Sequence, residues 1–210
     1  MTARTWTPPI VATKAGKLGR DTRLTPPALY AEIERRYAGG GWPSPARERA
    51  RRFDIDAAAT ASNARAPLYF SADHCALAHR WRVADALLAR PAISAPQVPR
   101  VFPHTPQARV FCNPPYSEIS TWIDKAIDEM GQPDGPARIV FLVPARTGTS
   151  WSDAAQRAGA HVVDLRGRVR FLGADGTPSK RPFEYSRLVI FERGRPAPPP
   201  DPIFNASQYR

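Results

Sequence analysis

The chain has 210 residues, 42% of them hydrophobic, and a formal net charge of +11. That length fits one domain with short tails and is sufficient for a real core. No run approaches the roughly 18 apolar residues of a membrane span, no signal-peptide pattern is present, and the two cysteines lack metal-ligand spacing. We therefore expect a cytoplasmic protein without a metal, either a monomer or a weak dimer.

Basic residues are concentrated in the first quarter of the chain. Residues 1–52 contain eleven Lys or Arg against four Asp or Glu. This surplus has two interpretations, a solvated basic tail or a surface for nucleic acid, since neutralised phosphates release counterions. Residues 1–20 lack apolar periodicity and are predicted to be a flexible basic arm, and 196–210 a proline-rich tail. One domain is expected between them, over 21–195.

Within 21–195 the hydrophobic pattern predicts alternating strands and helices. Thr25 is placed to cap a helix with Pro26 at its first position. A turn and helix are expected at 57–66, and a proline-rich surface insertion at 91–106. The predicted strands are 53–56, 108–112, 138–143, 161–165 and 187–191, and the later helices 84–90, 119–130 and 153–158. This order predicts a mixed α/β fold, with the continuous apolar run 138–143 as a buried parallel strand.

The tetrapeptide Asn113-Pro114-Pro115-Tyr116 directly follows the strand predicted at 108–112. Asn113 offers a side-chain carbonyl and Pro114 a backbone carbonyl, two acceptors for the two hydrogens of an exocyclic amino group. Such bonds hold the nitrogen lone pair in line with a methyl donor and stabilise the charge that develops. The prolines restrict the loop, and Tyr116 offers a ring face for a flipped base.

A plain proline-rich turn is the competing interpretation of this tetrapeptide, because the chain has 24 prolines. Its setting favours catalysis. A strand precedes it and an amphipathic helix follows, and the carboxyl ends of strands are where open α/β sheets bind their ligands.

Together these segments resemble the small phage-type DNA N6-adenine methyltransferase family (Dam-like) over residues 20–191. The segments that carry the resemblance are Thr25-Pro26-Pro27, 53–59, 110–117, 141–147, 166–171 and 188–191, in this order. It implies a Rossmann-like methyltransferase fold, S-adenosyl-L-methionine as the cofactor, and double-stranded DNA as the partner. It also implies that the target adenine is flipped out of the helix onto Tyr116.

The resemblance assigns cofactor-binding roles to residues near the first strand. Thr25, with Pro26 beside it, falls near the cofactor carboxylate, where the N–H groups at a helix start attract an anion. Asp56 falls at the cofactor's ammonium end, and Asp54 and Ala57 flank it. The competing interpretation of the two aspartates is a pair of solvent-facing strand residues.

Four further residues are candidates by position. Asp73 is the acidic candidate for the ribose and adenine end of the cofactor, or else a helix cap. Phe171 falls where relatives contact the target base, or else belongs to the core. Arg146 and Arg168 are candidates for contacts with the substrate DNA, or else are solvated.

Two other functions remain open at this point. A non-catalytic phage DNA-binding protein on a decayed methyltransferase scaffold is favoured by two departures from the family. The alanines of 57–59 replace an expected glycine-rich loop, and Arg23 stands where relatives have tryptophan. Alternatively, an Asn-Pro-Pro-Tyr loop also serves methyltransferases that act on RNA or on protein glutamine.

Overall fold

The computed structural model describes residues 23–38, 52–60, 63–71, 76–88, 107–180 and 184–194. The helices in this part of the chain are α1 (Pro27–Tyr37), α2 (Val83–Leu88), α3 (Ile119–Gly131) and α4 (Ser150–Arg157). The strands are β1 (Ile55–Asp56), β2 (Leu68–Tyr69), β3 (Arg109–Cys112), β4 (Arg138–Pro144), β5 (His161–Arg168) and β6 (Tyr185–Glu192). The predicted mixed α/β fold is confirmed. The arm at 1–20, the insertion at 91–106 and the tail at 196–210 lie outside the described residues.

All six strands form one sheet, in the order β2-β1-β3-β4-β6-β5. The pairs β1–β2, β1–β3 and β3–β4 are parallel. The last strand, β6, is antiparallel to both of its neighbours, so that it separates β4 from β5. The carboxyl ends of β1 to β4 therefore share one edge of the sheet, and β5 ends at that edge as well.

The core lies on both faces of the sheet, because alternate residues of β4 point to opposite sides. Ile139, Phe141 and Val143 belong to a cluster with residues of α3 and α4. Val140 and Leu142 belong to the cluster on the other side, which includes residues of α1. All seven residues of β4 are buried. The apolar run at 138–143 is thus a buried strand, parallel to β3, as predicted.

Two predictions about local structure are wrong. The first helix begins at Pro27 with Pro26 at the N-cap position, and the hydroxyl of Thr25 accepts a bond from Asn113 instead of from the helix. No helix forms in the described residues of 57–66. There the Asp56 carboxylate accepts the N–H of Arg65, which in a helix over 57–66 would bond to the carbonyl four residues earlier.

The other helices and strands differ from prediction mainly at their ends. The fourth helix starts three residues early because the Thr149 side chain caps it, accepting a bond from the N–H of Ser152. The helix predicted at 84–90 is α2, and the strand predicted at 161–165 continues to Arg168.

A buried ion network joins the segment before α2 to α3. Glu129 is fully buried, and its carboxylate accepts bonds from Lys125 Nζ at 2.7 Å and from Arg80 Nε at 3.1 Å. Arg80 and Arg82 also pair with Asp134, whose side chain is 51% exposed. The network compensates the burial of Glu129, whose charge is expensive to leave unpaired.

Candidate active site

The candidate site lies where the order of the parallel strands reverses. From β1 the chain continues to β2 on one side, whereas β3 continues to β4 on the other. Open α/β sheets bind ligands at such a reversal, in the crevice outside the strand carboxyl ends. Asp56 ends β1 and Asn113 follows β3, and both line one cavity. The cavity is also lined by Arg23, Leu24, Thr25, Ala58, Asn63, Arg65 and Phe111.

The side-chain amide of Asn113 has one orientation. Its Nδ2 donates to the backbone carbonyl of Arg23 at 2.7 Å and to Thr25 Oγ1 at 3.1 Å. Because a carbonyl can only accept, the amide nitrogen must face Arg23 and the oxygen must face away. Asn113 Oδ1 is buried and accepts no hydrogen bond from any described residue. A buried acceptor of this kind is costly unless a ligand or water donates to it.

The segment that holds Asn113 is itself anchored across the molecule. Leu24 exchanges two backbone hydrogen bonds of 2.9 Å with Leu172. This bridge places Arg23 and Thr25 beside the Asn113–Tyr116 loop, although they are far from it along the chain. Thr25 is 5% exposed. Its hydroxyl contacts the side-chain amide of Asn113, and its predicted place near a cofactor carboxylate stays a prediction.

The loop contains a second candidate acceptor. The carbonyl of Pro115 accepts the N–H of Glu118 at 3.0 Å, whereas the carbonyl of Pro114 accepts no backbone N–H within the described parts of the chain. The guanidinium of Arg23 lies over the Tyr116 ring, 5.2 Å from the ring centroid. Burial raises the pKa of the Tyr116 phenol well above its usual range, so this side chain stays neutral.

Asp56 is the charged group at the end of β1. It is 4% exposed, and its carboxylate accepts the backbone N–H of Ala58 at 3.4 Å and of Arg65 at 3.1 Å. Burial raises the pKa of Asp56 to about 6, and the two N–H bonds oppose that rise. A positively charged ligand group in the cavity would favour the ionised form. No described non-glycine residue has a positive φ, so the alanines of 57–59 do not imitate a tight glycine turn.

Arg65 belongs to the site and was missed by the sequence analysis. Its Nη2 donates to the carbonyl of Thr25 at 2.9 Å, and its Nε is buried without a partner among the described residues. The alanine-rich stretch around it predicted a helix, which gave its side chain no relation to Asp56. The sequence offers no signal for it, because the strand at Leu68–Tyr69 that follows Arg65 was not predicted.

Several predicted cofactor residues are not brought to the cavity. Asp54 is 8% exposed and pairs with Arg109, whose Nε lies 3.2 Å from Asp54 Oδ2, so its carboxylate already has a structural partner. Ala57 is buried in the core, and Ala58 lines the cavity in its place. Pro26 is at the helix N-cap and does not line the cavity. Asp73 lies outside the described residues.

The predicted substrate residues are near the same edge of the sheet. Phe171 is 2% exposed and meets the Tyr116 ring edge to face, with centroids 6.1 Å apart. It is a core residue that supports Tyr116, and its contact with a base stays a prediction. Arg146, just after β4, forms an exposed pair with Glu184 at 2.7 Å, and Arg168 ends β5.

Comparison with known proteins bears on the part of this site that follows β3. Residues 102–198 match the family model for DNA N-6-adenine-methyltransferase (Dam). The resemblance to DNA adenine methyltransferases is thereby confirmed over a segment slightly shorter than half of the chain. This segment includes Asn113 to Tyr116 and Phe171, whereas Thr25, Asp56 and Arg65 lie before it. No curated protein and no solved structure matches the chain.

Two further groups of features were searched for in the described residues. No helix there is long and apolar enough to cross a membrane. In the same ranges, no group of three or more His, Cys, Asp or Glu is arranged to hold a metal ion.

Proposed function

We propose that this protein is a DNA methyltransferase that transfers a methyl group from S-adenosyl-L-methionine to the N6 amino group of adenine in double-stranded DNA. One observation carries the proposal. Asn113, whose buried Oδ1 accepts no bond from a described residue, lines the same cavity as the buried Asp56. One cavity thus combines an acceptor for an amino group with a binding group for a cationic ligand.

The fold supports the same assignment. A Rossmann-like methyltransferase domain over 21–195 agrees with a sheet whose parallel strands reverse order at the cavity and whose β6 is antiparallel. The residues also fit the cofactor, because a buried carboxylate is the partner that its ammonium group requires. S-adenosyl-L-methionine supplies, when bound, a methyl group activated by a sulfonium centre.

The chain's own residues orient the acceptor. Asn113 Oδ1 and the Pro114 carbonyl accept the two hydrogens of the adenine amino group, which directs the nitrogen lone pair away from the ring plane. The same bonds stabilise the positive charge that develops on the nitrogen. Tyr116, neutral and backed by Phe171, offers a ring for the flipped base, and the Arg23 guanidinium that lies over this ring must move for a base to stack there.

No general base is required for this transfer. The methylated nitrogen carries a positive charge and loses one of its protons to water. The amide of Asn113 stays fixed throughout, because its Nδ2 is held by Arg23 and Thr25. Arg23 and Thr25 therefore preorganise the acceptor, and this preorganisation is the source of the electrostatic stabilisation.

Truncation of the amide tests the proposal. Asn113→Ala is expected to lower kcat roughly 100- to 1,000-fold, as measured when one preorganised hydrogen-bonding group is removed from an active site. Gln156→Ala removes an exposed amide from α4 and serves as the control, with activity unchanged. Methyl transfer to adenine-containing duplex DNA is followed with labelled donor. Full activity of Asn113→Ala would contradict the mechanism.

A ring substitution separates stacking from hydroxyl chemistry at Tyr116. Tyr116→Phe keeps the ring face and is expected to retain most activity, whereas Tyr116→Ala loses it while the chain stays folded. Parallel incubations with RNA and with protein acceptors complete the experiment. Methylation of either acceptor in preference to DNA would redirect the proposal, and an absence of cofactor binding by calorimetry would favour a non-catalytic DNA-binding protein.

A further inference from the structure

The cavity holds a positive group as well as a negative one. Arg65 and Asp56 both line it, from opposite ends of the segment that joins β1 to β2. Arg65 has no role in the transfer mechanism above. Its position beside a buried carboxylate calls for a physical reason, because a charged group at a binding cavity is desolvated at considerable cost.

The two charges are held by the backbone and not by each other. The Asp56 carboxylate accepts the N–H groups of Ala58 and Arg65, and the Arg65 guanidinium donates through Nη2 to the carbonyl of Thr25. In the described part of the chain, Arg65 Nε has no acceptor although it is buried. An arginine whose fork is only half used has donors left for an anion, and planar carboxylates match that fork best.

A buried carboxylate beside a partly buried guanidinium is complementary to a zwitterion. The ammonium group of an α-amino acid fits Asp56, and its carboxylate fits Arg65. The described residues thus place at one cavity the two opposite charges that an α-amino-acid group requires.

We infer that Arg65 binds the carboxylate of the amino-acid end of S-adenosyl-L-methionine, while Asp56 binds its ammonium group. The inference rests on the proposed function and assigns within it the residue that selects an intact amino-acid end. It transfers to Arg65 the role that the family resemblance gave to Thr25. Thr25 instead connects the two halves of the site, with its carbonyl on Arg65 and its hydroxyl on Asn113.

Binding of two ligands that differ only in the carboxylate tests the inference. S-adenosyl-L-methionine and its decarboxylated analogue are titrated calorimetrically into the wild-type protein, Arg65→Met and Arg65→Lys. The wild type is expected to bind the intact ligand roughly 10- to 100-fold more tightly, the range for a hydrogen bond between charged groups. Arg65→Met abolishes that preference and leaves the affinity for the analogue unchanged, and Arg65→Lys retains part of the preference.

Arg157→Met is the matched control, because Arg157 is an exposed arginine in the last turn of α4. It should keep the wild-type preference. If Arg65→Met lowers the affinity for both ligands equally, Arg65 only supports Thr25, and the inference is overturned. A wild type that binds both ligands equally overturns it even if Arg65→Met fails to fold. A wild type that binds neither contradicts the proposed function, and the inference with it.

Discussion

Replacing Asp56 by asparagine should make the protein more stable at neutral pH. Burial raises the pKa of this carboxyl from 3.8 to about 6 in the native state. Between these values the native protein binds more protons than the unfolded chain, so stability falls as pH rises through the window. At pH 7, above both pKa values, ionised Asp56 lowers the free energy of unfolding by about 3 kcal/mol, which is the energy that corresponds to this pKa shift.

The gain in Asp56→Asn is smaller than this figure, since the amide has one acceptor oxygen and the carboxylate has two. The amide nitrogen is expected to face Ala58, whose N–H bond is the longer one at 3.4 Å, while the oxygen keeps the 3.1 Å bond from Arg65. Losing the weaker bond costs about 1 kcal/mol. We therefore expect a net increase of about 2 kcal/mol in the free energy of unfolding at pH 7.

Urea unfolding of both proteins at about pH 7 and about pH 4 measures the difference, provided that the m-values agree. Near pH 4 native Asp56 is protonated, and the advantage of the amide should disappear. Asp54→Asn is the matched control, because Asp54 is buried to a similar degree but paired with Arg109, so the same substitution should reduce stability. The reasoning is refuted if Asp56→Asn is less stable than the wild type at pH 7, or if its gain persists at pH 4.

Three further predictions concern the ion network, the cofactor and the DNA surface. Glu129→Gln should lower the free energy of unfolding by about 3 kcal/mol, because Lys125 stays buried without its counterion. Asp134→Asn, at the exposed end of the network, should lower it by less than about 1 kcal/mol in the same urea assay. The affinity for S-adenosyl-L-methionine should fall roughly tenfold from pH 7 to pH 5 as Asp56 is protonated, and calorimetry that shows a flat profile would exclude Asp56 as the ammonium partner. Arg168→Ala should weaken DNA binding and reduce the slope of log affinity against log salt by about one, and an unchanged slope would remove Arg168 from the DNA surface.

The place of the Asn-Pro-Pro-Tyr loop between a strand and a helix could be predicted from sequence because it depends on local patterns. Four consecutive residues supply the acceptors and the ring, and the strand before Asn113 and the helix after Tyr116 are each defined by their own periodicity. The structure added the orientation of the Asn113 side-chain amide, which residue spacing does not define. Nδ2 is held by Arg23, so it is the oxygen of Asn113 that is open to a ligand.

The cofactor side was harder to predict because its members are separated by tertiary contacts. Asp54 and Asp56 alternate along one strand and are equivalent in periodicity. They differ only because Arg109 of β3 neutralises the first and leaves the second facing the cavity. Thr25 was assigned to a helix cap since either Pro26 or Pro27 suits a helix start. The position of Arg65 at the cavity depends on a turn, whereas the alanine-rich sequence predicted a helix there.

The place of β6 in the sheet has a consequence for how the chain folds. The strand β6 pairs with β4 at seven positions and also pairs with β5. Both strands therefore lack this neighbour until β6 joins the sheet. Until Tyr185–Glu192 is available, β4 has an unpaired apolar edge and β5 has no place in the sheet. Long-range pairing of this kind is slow and exposes edges to other chains. A chain that stops at residue 180 should therefore aggregate, although it contains every residue of the cavity.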